Sequence, residues 1–532
     1  MKKIISLFIV LSVLVSALLM MSVSTSADPA PAVWDGSTAT AFAGGDGTEA
    51  NPYQISNGAE LALLQAKIAD GEQAANYYNK YYILTADIVL NEGDATTWGK
   101  PDPNDPADPP ATIAPANSYK AIGAWSNATS SFGGTFDGNG KTISGLYIKS
   151  EADGQGLFGV IQGGAVIKNF ALVNSYIEAP GCVGGIVGQT DRANDDDILF
   201  ENIYTDAIIN STSGAKKAAG IIGNVSGTKA DPPYEPGKIT IKSTVFAGEV
   251  TYSANEAGGF IGYSAQAEVE ITDCLNAGTI TGASTKNYIA GFVGRHEQVT
   301  VALTRCISAG EMKTKENYYG GIFVASNEKT GATLSDCYYV TGIAAATLLH
   351  YNVTEDEQAK AVELRSLCVD CGITWENWTK RTGDILVPTG VASFAQQIFQ
   401  LEYTVTWMNG EEVLAVENYA LGTMPEYKGE VPTKAEDERY TYSFNRWTPE
   451  LKAVMEDATY TAEFFRTKKT SGTTAATEDD TTTAPTTDAP TTTKAPESKP
   501  AKKGCKSVIG GGVLVLVAVM GIGAVGLGKK ED

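Results

Sequence analysis

A short apolar phrase enclosed by glycines recurs six times between residues 156 and 324. The phrases are Gly156-Leu-Phe-Gly159, Gly185-Ile-Val-Gly188, Gly220-Ile-Ile-Gly223, Gly259-Phe-Ile-Gly262, Gly291-Phe-Val-Gly294 and Gly321-Ile-Phe-Val324. Their first glycines are 29 to 39 residues apart. Such a period is typical of stacked repeats, in which no single unit buries its apolar face without its neighbours. The chain is therefore expected to contain an elongated repeat array.

Each phrase is followed by a second short segment with the composition of a β-strand. These segments are residues 166–172, 198–203, 239–246, 269–275, 299–307 and 333–339. The residues between them are glycine, asparagine and charged residues, which is the composition of turns. Glycine allows positive φ at a corner and a close approach between neighbouring backbones. We therefore predict structural roles for the glycines of the phrases, which are Gly156, Gly159, Gly185, Gly188, Gly220, Gly223, Gly259, Gly262, Gly291, Gly294 and Gly321.

Three of the seven cysteines recur with the repeat. Cys274, Cys306 and Cys337 are 32 and 31 residues apart. Residues at equivalent places in stacked coils lie about 4.8 Å apart, so these thiols are expected to form an interior column. Buried free cysteine behaves as a small apolar residue, and this structural role is favoured here over disulfide pairing.

The segment before the repeats has a mixed character. Residues 60–68 show the apolar spacing of a short helix, and residues 81–90 are rich in the β-branched and aromatic residues of a strand. Residues 100–115 are rich in proline, which cannot donate a hydrogen bond to a sheet. This proline-rich stretch is expected to leave the array and return to it near Phe136-Asp-Gly-Asn-Gly140.

The order of these segments resembles that of bacterial surface proteins with GLUG repeats, and the six phrases resemble the GLUG motif itself. The resemblance covers residues 34–339. It implies an all-β fold, a right-handed parallel β-helix, which with its caps is assigned to residues 28–395. Val324 departs from the motif, as the terminal units of repeat arrays commonly do.

Residues 354–364 are predicted to form a helix in a cap that covers the unpaired strand edges of the array. The cap also holds Cys368-Val-Asp-Cys371. A small structural disulfide is favoured over a redox pair here, because the strand-to-helix setting of a redox site is missing.

Residues 402–466 alternate aromatic and polar side chains with the period of a strand. This segment resembles the β-grasp-like repeat of internalin B-type and related bacterial surface proteins. The resemblance implies a small spacer or adhesive domain.

The two ends of the chain indicate export and anchoring. Residues 1–27 combine two lysines, an apolar run and small residues, which is typical of a signal peptide. Residues 467–504 are a Thr/Pro-rich stretch too poor in apolar residues to fold, and they are predicted to form a disordered stalk. Residues 505–532 contain an apolar run of about 20 residues, the length of one transmembrane helix, before a short cytoplasmic tail. The predicted location is the bacterial cell surface, with the N-terminal region outside.

Composition argues against two classes of function. The net charge of −22 leaves no basic face for a nucleic-acid partner. His296-Glu297 resembles the first half of a zinc-protease motif, but Thr300 stands where the second histidine is required, and His350 reads as structural. We therefore assign no catalytic residue. Calcium is the one candidate cofactor. An enzymatic role is left open but not favoured.

Four aspartates, Asp191, Asp195, Asp196 and Asp197, form the strongest local cluster of charge. A solvated loop is the favoured interpretation, and a calcium site is the alternative. Neither histidine nor a pair of basic residues accompanies the cluster in the sequence.

The predicted function is binding at the cell surface. A rod held away from the membrane suits adhesion to a host or neighbouring-cell glycan or to a surface protein, and this inference rests on architecture. The alternatives are a surface-tethered polysaccharide lyase or glycoside hydrolase that uses carboxylates on the β-helix, and a passive structural rod.

Overall fold

A computed structural model describes residues 30–70, 76–105, 107, 109–124, 130–191, 196–212, 217–226, 237–252, 255–265, 267–282, 288–297, 300–313, 319–325, 332–341, 359–369, 372–381, 384–396, 398–399 and 402–469. The predicted signal peptide and transmembrane anchor, residues 470–504 of the predicted stalk, and Asp195, His350 and Cys371 lie outside these residues. Residues 467 and 468, predicted as the start of the stalk, instead belong to the strand Ala458–Lys468. In the part of the chain that is described, no helix is both long and apolar enough to span a membrane.

The described chain passes repeatedly through four parallel sheets, which we name A to D. Sheet A contains Tyr53–Ile55, Tyr81–Leu84, Ile88–Val89, Thr135–Ser144, Val166–Val173, Ile198–Thr205, Lys238–Lys242, Val245–Phe246, Glu268–Thr272, Leu275–Asn276, Val301–Thr304, Ile307–Ser308, Ala332–Ser335, Tyr338–Val340 and Lys360–Val362. Sheet B contains Phe158–Ile161, Val187–Thr190, Ile222–Ser226, Ile261–Ala265 and Val293–Glu297. Sheet C contains Tyr147–Lys149, Tyr176–Ala179, Ile208–Ser211, Glu249–Tyr252, Thr279–Gly282 and Met312–Lys313. Sheet D contains Val183–Gly184, Lys217–Ala219, Glu256–Gly258, Tyr288–Ala290 and Tyr319–Gly321.

Equivalent residues of successive coils stand in register. In sheet B, Val187 is the partner of both Phe158 and Ile222, and Ile261 joins Ile222 to Val293. One turn of the chain therefore visits sheets B, A, C and D before the next phrase begins. The predicted all-β architecture with mostly parallel sheets is confirmed, and its stacking is that of a β-helix-like fold.

The interior of the stack is apolar and arranged in ladders. The rings of Phe260, Phe292 and Phe323, each from the middle of a phrase, stack with centroids 4.6 and 5.5 Å apart. Their side chains are at most 4% exposed. Because each ring contacts the ring of the next coil, the apolar pair of every phrase is buried only when its neighbours are present.

The last glycine of a phrase lies where sheets B and D approach most closely. A Cβ atom on Gly262 would lie 2.5 Å from the carbonyl oxygen of Gly223 and 2.7 Å from that of Ala218. Real Cβ atoms do not approach backbone so closely, so only glycine fits this corner without displacement of a strand.

The N-terminal helix Gly58–Ala69 packs against the first coils. Leu61, Leu64 and Ile68 are fully buried in the main core. The side chain of Asn57 accepts the backbone N–H of Glu60, and the Glu60 carboxylate accepts the backbone N–H of Ser56 at 2.6 Å. These reciprocal bonds satisfy donors at the start of the helix. The predicted strand at residues 81–90 is interrupted between Leu84 and Ile88.

The segment after the last coil differs from the predicted cap. Residues 360–362 were expected to be helical, but Lys360–Val362 is a strand that pairs with Tyr338–Val340, and the helix is Leu364–Val369. This part of the prediction is wrong because a free strand edge was available for pairing. The remainder lies along the flank of the stack, with the two-stranded antiparallel sheet of Trp378–Thr379 and Val387–Pro388.

This returning segment, residues 360–399, covers an apolar ladder on the outside of sheet A. Tyr204, Val245, Leu275 and Ile307, one from each of four coils, form one buried cluster with residues of the returning segment, which are Leu367, Cys368, Trp378, Ile385, Leu386, Val387 and Val391. The short 3₁₀ helix Thr389–Val391 belongs to this segment. The outer face of sheet A is therefore a second core.

Carboxylates on the stack hold the returning segment in place. Asp273, at a corner with φ of 54°, accepts hydrogen bonds from Arg305 at 2.6 Å, Asn377 at 3.0 Å and Trp378 at 3.1 Å. Burial opposes ionisation, but these donors outweigh it and keep the pKa of Asp273 below its usual range. Two coils further on, Asp336 accepts the indole N–H of Trp375 at 2.6 Å.

Residues 402–469 form a four-stranded mixed sheet. Its central strands, Glu402–Asn409 and Ala458–Lys468, are parallel, and they are flanked by the antiparallel strands Glu412–Ala420 and Tyr440–Thr448. Its small core consists of Val405, Trp407, Val454 and Tyr460. Its assignment as a β-grasp domain stays a prediction.

Candidate functional site

An open groove of about 450 Å³ runs across the corners between sheets A and C. Its lining residues are Ala95, Thr96, Asn174, Asp206, Ile208, Ala247, Gly248, Glu249, Thr279 and Lys313. All but the first two come from five successive coils. Because neighbouring strands are about 4.8 Å apart, four coil steps give the groove a length of about 19 Å.

The start of the excursion, residues 93–98, which directly precede the proline-rich stretch, supplies one wall of the groove. The backbone N–H of Ala95 donates to Oδ1 of Asn174 at 2.9 Å, and Nδ2 of Asn174 donates to the carbonyl of Gly93 at 2.8 Å. The 3₁₀ helix Ala95–Thr97 is capped by Asp94, which accepts the N–H of Thr96. The excursion is thus fixed to the stack at the edge of the groove.

A row of aromatic rings anchors this wall from behind. Trp98 meets Tyr147 edge-to-face at 5.7 Å, and Tyr147 stacks on Tyr176 at 5.8 Å. All three rings are buried against sheet C. This packing, together with backbone hydrogen bonds such as that from Ile113 to Lys100 at 2.8 Å, fixes the position of the excursion on the stack.

Asp206 lies at the floor of the groove. Its Oδ1 accepts the backbone N–H of Asn174 at 2.7 Å. Burial is the largest influence on this carboxyl and raises its pKa to about 6. Gly248, on the next coil, lets the backbone pack closely against this residue, since a Cβ there would lie 2.1 Å from the carbonyl oxygen of Ala207 and 2.8 Å from that of Asp206. The groove therefore holds a carboxyl group that gains or loses its proton near neutral pH.

Glu249 and Lys313 bring charge to the same groove. Glu249 is exposed, and its Oε1 accepts the hydroxyl of Thr251 at 3.2 Å. Lys313 is exposed and pairs with Glu311 at 3.0 Å. With the hydroxyl of Thr279 and the amide of Asn174, the groove offers donors and acceptors along its whole length. Such a lining suits a ligand that carries many hydroxyl groups.

The aspartate cluster predicted from the sequence lies away from the groove. Asp191 accepts the hydroxyl of Ser131 at 2.8 Å, and Asp197 accepts the backbone N–H of Lys238 at 2.8 Å. Asp196 and Asp197 are exposed, and Asp195 lies outside the described residues. Among the residues that the structure describes, no group of three or more His, Cys, Asp or Glu side chains is placed to hold a metal ion. Calcium binding by this loop stays a prediction.

The in-register cysteines lie in the interior. Cys274, Cys306 and Cys337 are at most 2% exposed and form no disulfide. Each thiol lies near a backbone carbonyl of its own corner, as Cys274 does to Thr272 at 3.2 Å. Burial raises the pKa of the Cys306 thiol well above its usual value. Thiols in this environment are inert and pack as small apolar groups.

The remaining candidate residues from the sequence do not come together in the structure. His296 and Glu297 belong to the strand Val293–Glu297, where His296 is 1% exposed and Glu297 points to the surface. Adjacent residues of a strand face opposite sides, so these two do not converge as the halves of a zinc motif do on a helix. Cys368 is buried in the outer core, and Cys371 lies outside the described residues.

Sequence reasoning missed Asp206 and Glu249. Neither belongs to a recognised motif, and isolated acidic residues between strands are typical of turns. Alignment of the repeats offered one signal for Asp206 in the sequence. Asp206 follows the strand Ile198–Thr205 in the same way that Asn174 follows Val166–Val173. The burial of Asp206 depends on the excursion and on Gly248, which no local pattern reveals.

Comparisons with known proteins give partial similarities. No family model matches the chain. It is 30% identical over 190 residues to halomucin of Haloquadratum walsbyi, covering 36% of this chain and 2% of that protein. It is 32% identical over 152 residues to a protein of Evansella cellulosilytica named as a candidate Gly-rich membrane protein, covering 28% of this chain and 14% of that protein. The chain thus spans a small part of the length of these relatives.

One solved structure is similar over a larger share of the chain. It is a candidate immunoglobulin A1 protease from Bacteroides ovatus, at 18% identity and a TM-score of 0.46, covering 66% of this chain and 95% of that one.

Proposed function

We propose that this protein is a bacterial cell-surface protein that binds an extended glycan in the groove. One observation carries the proposal: five successive coils each contribute lining residues to one groove. A length of about 19 Å accommodates a chain segment rather than a single sugar ring. Each coil of the stack would therefore contribute a binding position along the glycan.

The lining favours a glycan over a protein segment. Protein-binding grooves bury apolar and aromatic anchors at their centre. Here Ile208 is the largest apolar side chain of the lining, while Thr96, Asn174, Asp206, Glu249, Thr279 and Lys313 are polar. The ligand would be a glycan of a host or of a neighbouring cell, and a surface protein that displays such a glycan would serve as well.

The rest of the chain suits display of this groove. In this proposal, residues 1–27 direct export, residues 505–532 anchor the protein, and residues 470–504 act as a stalk. The β-helix of residues 28–395 has the right-handed winding that the GLUG resemblance implies, and residues 402–466 act as a β-grasp-like spacer. The similarity to a named membrane protein supports the anchored arrangement.

A glycan array probed with the full-length protein in detergent tests the proposal. Thr279→Tyr places a ring in the groove, whereas Thr333→Tyr changes an exposed position of sheet A outside the groove. We expect saturable retention by the unmodified protein and by Thr333→Tyr, and at least tenfold weaker retention by Thr279→Tyr. Equal retention of both variants would place binding elsewhere. A lack of any retention would favour a passive structural rod.

A further inference from the structure

We propose that a second pocket, on the returning segment, binds a small zwitterion with an apolar side chain, which is the chemistry of free apolar amino acids and short apolar peptides. The pocket has a volume of about 400 Å³ and shares no lining residue with the groove. Its lining residues are Leu367, Ile373, Thr374, Trp375, Glu376, Trp378, Lys380 and Leu386. This site is therefore independent of the glycan groove.

The base of the pocket is apolar and belongs to the outer core. Leu367, Trp378 and Leu386 are at most 8% exposed. Ile373 and Trp375 are half-buried and pack against the same core. Small-molecule pockets are commonly about 300–1,000 Å³ in volume and mainly apolar, with a few polar groups that orient the ligand. A volume near the lower end of that range suits a molecule of the size of one or two amino acids.

Two indole rings of the lining are held in fixed positions. The rings of Trp375 and Trp378 have centroids 5.2 Å apart and are inclined at 55° to each other. The N–H of Trp375 donates to Asp336 at 2.6 Å, and the N–H of Trp378 donates to Asp273 at 3.1 Å. Fixed rings lose little conformational freedom when a ligand binds. Because the rings are inclined, they do not offer one flat platform on which a sugar ring could stack.

Opposite charges lie at the mouth of the pocket. Glu376 and Lys380 both line it, and both side chains are exposed. Within the described part of the chain, neither side chain takes part in a hydrogen bond or an ion pair, so the two are not paired with each other. Both charges are therefore available to a ligand. A ligand that carries one ammonium group and one carboxylate satisfies both of them with charge-assisted hydrogen bonds.

This pair of charges disfavours simpler ligands. An apolar anion such as a fatty acid would pair with Lys380 but would bring its carboxylate near Glu376, and an apolar cation would have the reverse conflict. A neutral sugar would leave both charges unpaired and would place hydroxyl groups against the apolar base. The exposed hydroxyl of Thr374 is both a donor and an acceptor, so it can bond to either end of a zwitterion.

Isothermal titration calorimetry of the full-length protein in detergent tests the site with L-leucine and with the dipeptide leucyl-leucine. We expect saturable binding of at least one of them. The amide of the tighter ligand, which lacks the carboxylate, and its N-acetyl derivative, which lacks the ammonium group, should each bind at least about tenfold more weakly. Tighter binding of L-leucine identifies a free amino acid as the source of this chemistry, and tighter binding of the dipeptide identifies a short peptide.

Substitutions at the mouth assign each charge. In Lys380→Gln, the tighter ligand and its amide should bind within about twofold of each other, because the group that recognises the carboxylate is gone. In Glu376→Gln, the tighter ligand and its N-acetyl derivative should likewise become equal. Glu268→Gln and Lys428→Gln, at exposed positions outside the pocket, should keep the selectivity of the unmodified protein.

Three results would overturn the proposal. They are a lack of saturable binding of both zwitterions, equal binding of the zwitterion and its two derivatives by the unmodified protein, and unchanged selectivity in Lys380→Gln and Glu376→Gln. Retention on the glycan array should be the same for these two variants as for the unmodified protein. Failure at the pocket would therefore leave the proposed function in place, and failure of glycan retention would leave the pocket in place.

Discussion

At the scale of single residues, the pKa of Asp206 is set by burial in the fold rather than by its neighbours in the sequence. The side chain follows a strand in a turn, as many exposed aspartates do. The excursion and the neighbouring coil shield it partly from solvent, and backbone N–H groups, that of Asn174 first, do not offset the lost hydration, so its pKa rises to about 6. Asp273 is also buried, but three donors reverse the effect and lower its pKa.

The raised pKa of Asp206 predicts how the free energy of unfolding depends on pH. The pKa of Asp206 is higher in the folded state than its ordinary value of 3.8. Its contribution is therefore most favourable below pH 3.8 and is lost as the pH rises through about 6. Asp206→Asn removes this penalty while keeping an acceptor for the Asn174 N–H, so it should raise the free energy of unfolding at pH 7 by about 1–3 kcal/mol.

Urea denaturation at pH 4 and pH 7 measures the effect. The gain of Asp206→Asn over the unmodified protein should shrink towards zero at pH 4. Glu268→Gln, at an exposed site, should show no such trend. A variant that is less stable at pH 7 than at pH 4, relative to the unmodified protein, would show that Asp206 is held as a stabilised carboxylate.

At the scale of elements, the glycines of the phrases are the part of the fold that the sequence predicts best. Their period reveals stacking, and their chemistry reveals close backbone approach, because both signals are local and repeated. The same local reasoning failed at residues 360–362, where pairing with Tyr338–Val340 decides the structure. The outer core formed by the returning segment joins Leu367 to Leu275 across many residues of chain, and no periodic signal encodes that contact.

Gly262→Ala tests the close approach between sheets B and D. The new Cβ would lie 2.5 Å from the backbone oxygen of Gly223, so a strand must shift. We expect a loss of roughly 1–3 kcal/mol in the free energy of unfolding. Gly44→Ala is the control, since its Cβ would come no closer than 3.0 Å to the end of the half-buried Gln54 side chain, which can move. Urea denaturation of both variants compares them, and equal losses would contradict a special role of the phrase glycine.

At the scale of the whole molecule, the groove is a product of stacking and excursion together. Lining residues such as Asn174, Glu249 and Lys313 are far apart in the chain but fall into one row because the coils are in register. The sequence predicted the stack, and it predicted that the proline-rich stretch leaves it. It did not predict where that stretch packs on the stack, because Trp98 and Tyr147 contact each other only in the folded protein. Motif analysis of the sequence therefore could not identify the candidate site.

Hydrogen exchange of the full-length protein, with and without the oligosaccharides that it retains, shows whether the groove is the binding site. We expect slower exchange on binding in residues 93–98, 204–208, 247–249 and 279–281, which form or adjoin the groove. The aspartate loop at residues 191–197 and the sheet of residues 402–469 should exchange at unchanged rates. Protection confined to that loop, to that sheet or to the returning segment would contradict the assignment of the groove as the binding site.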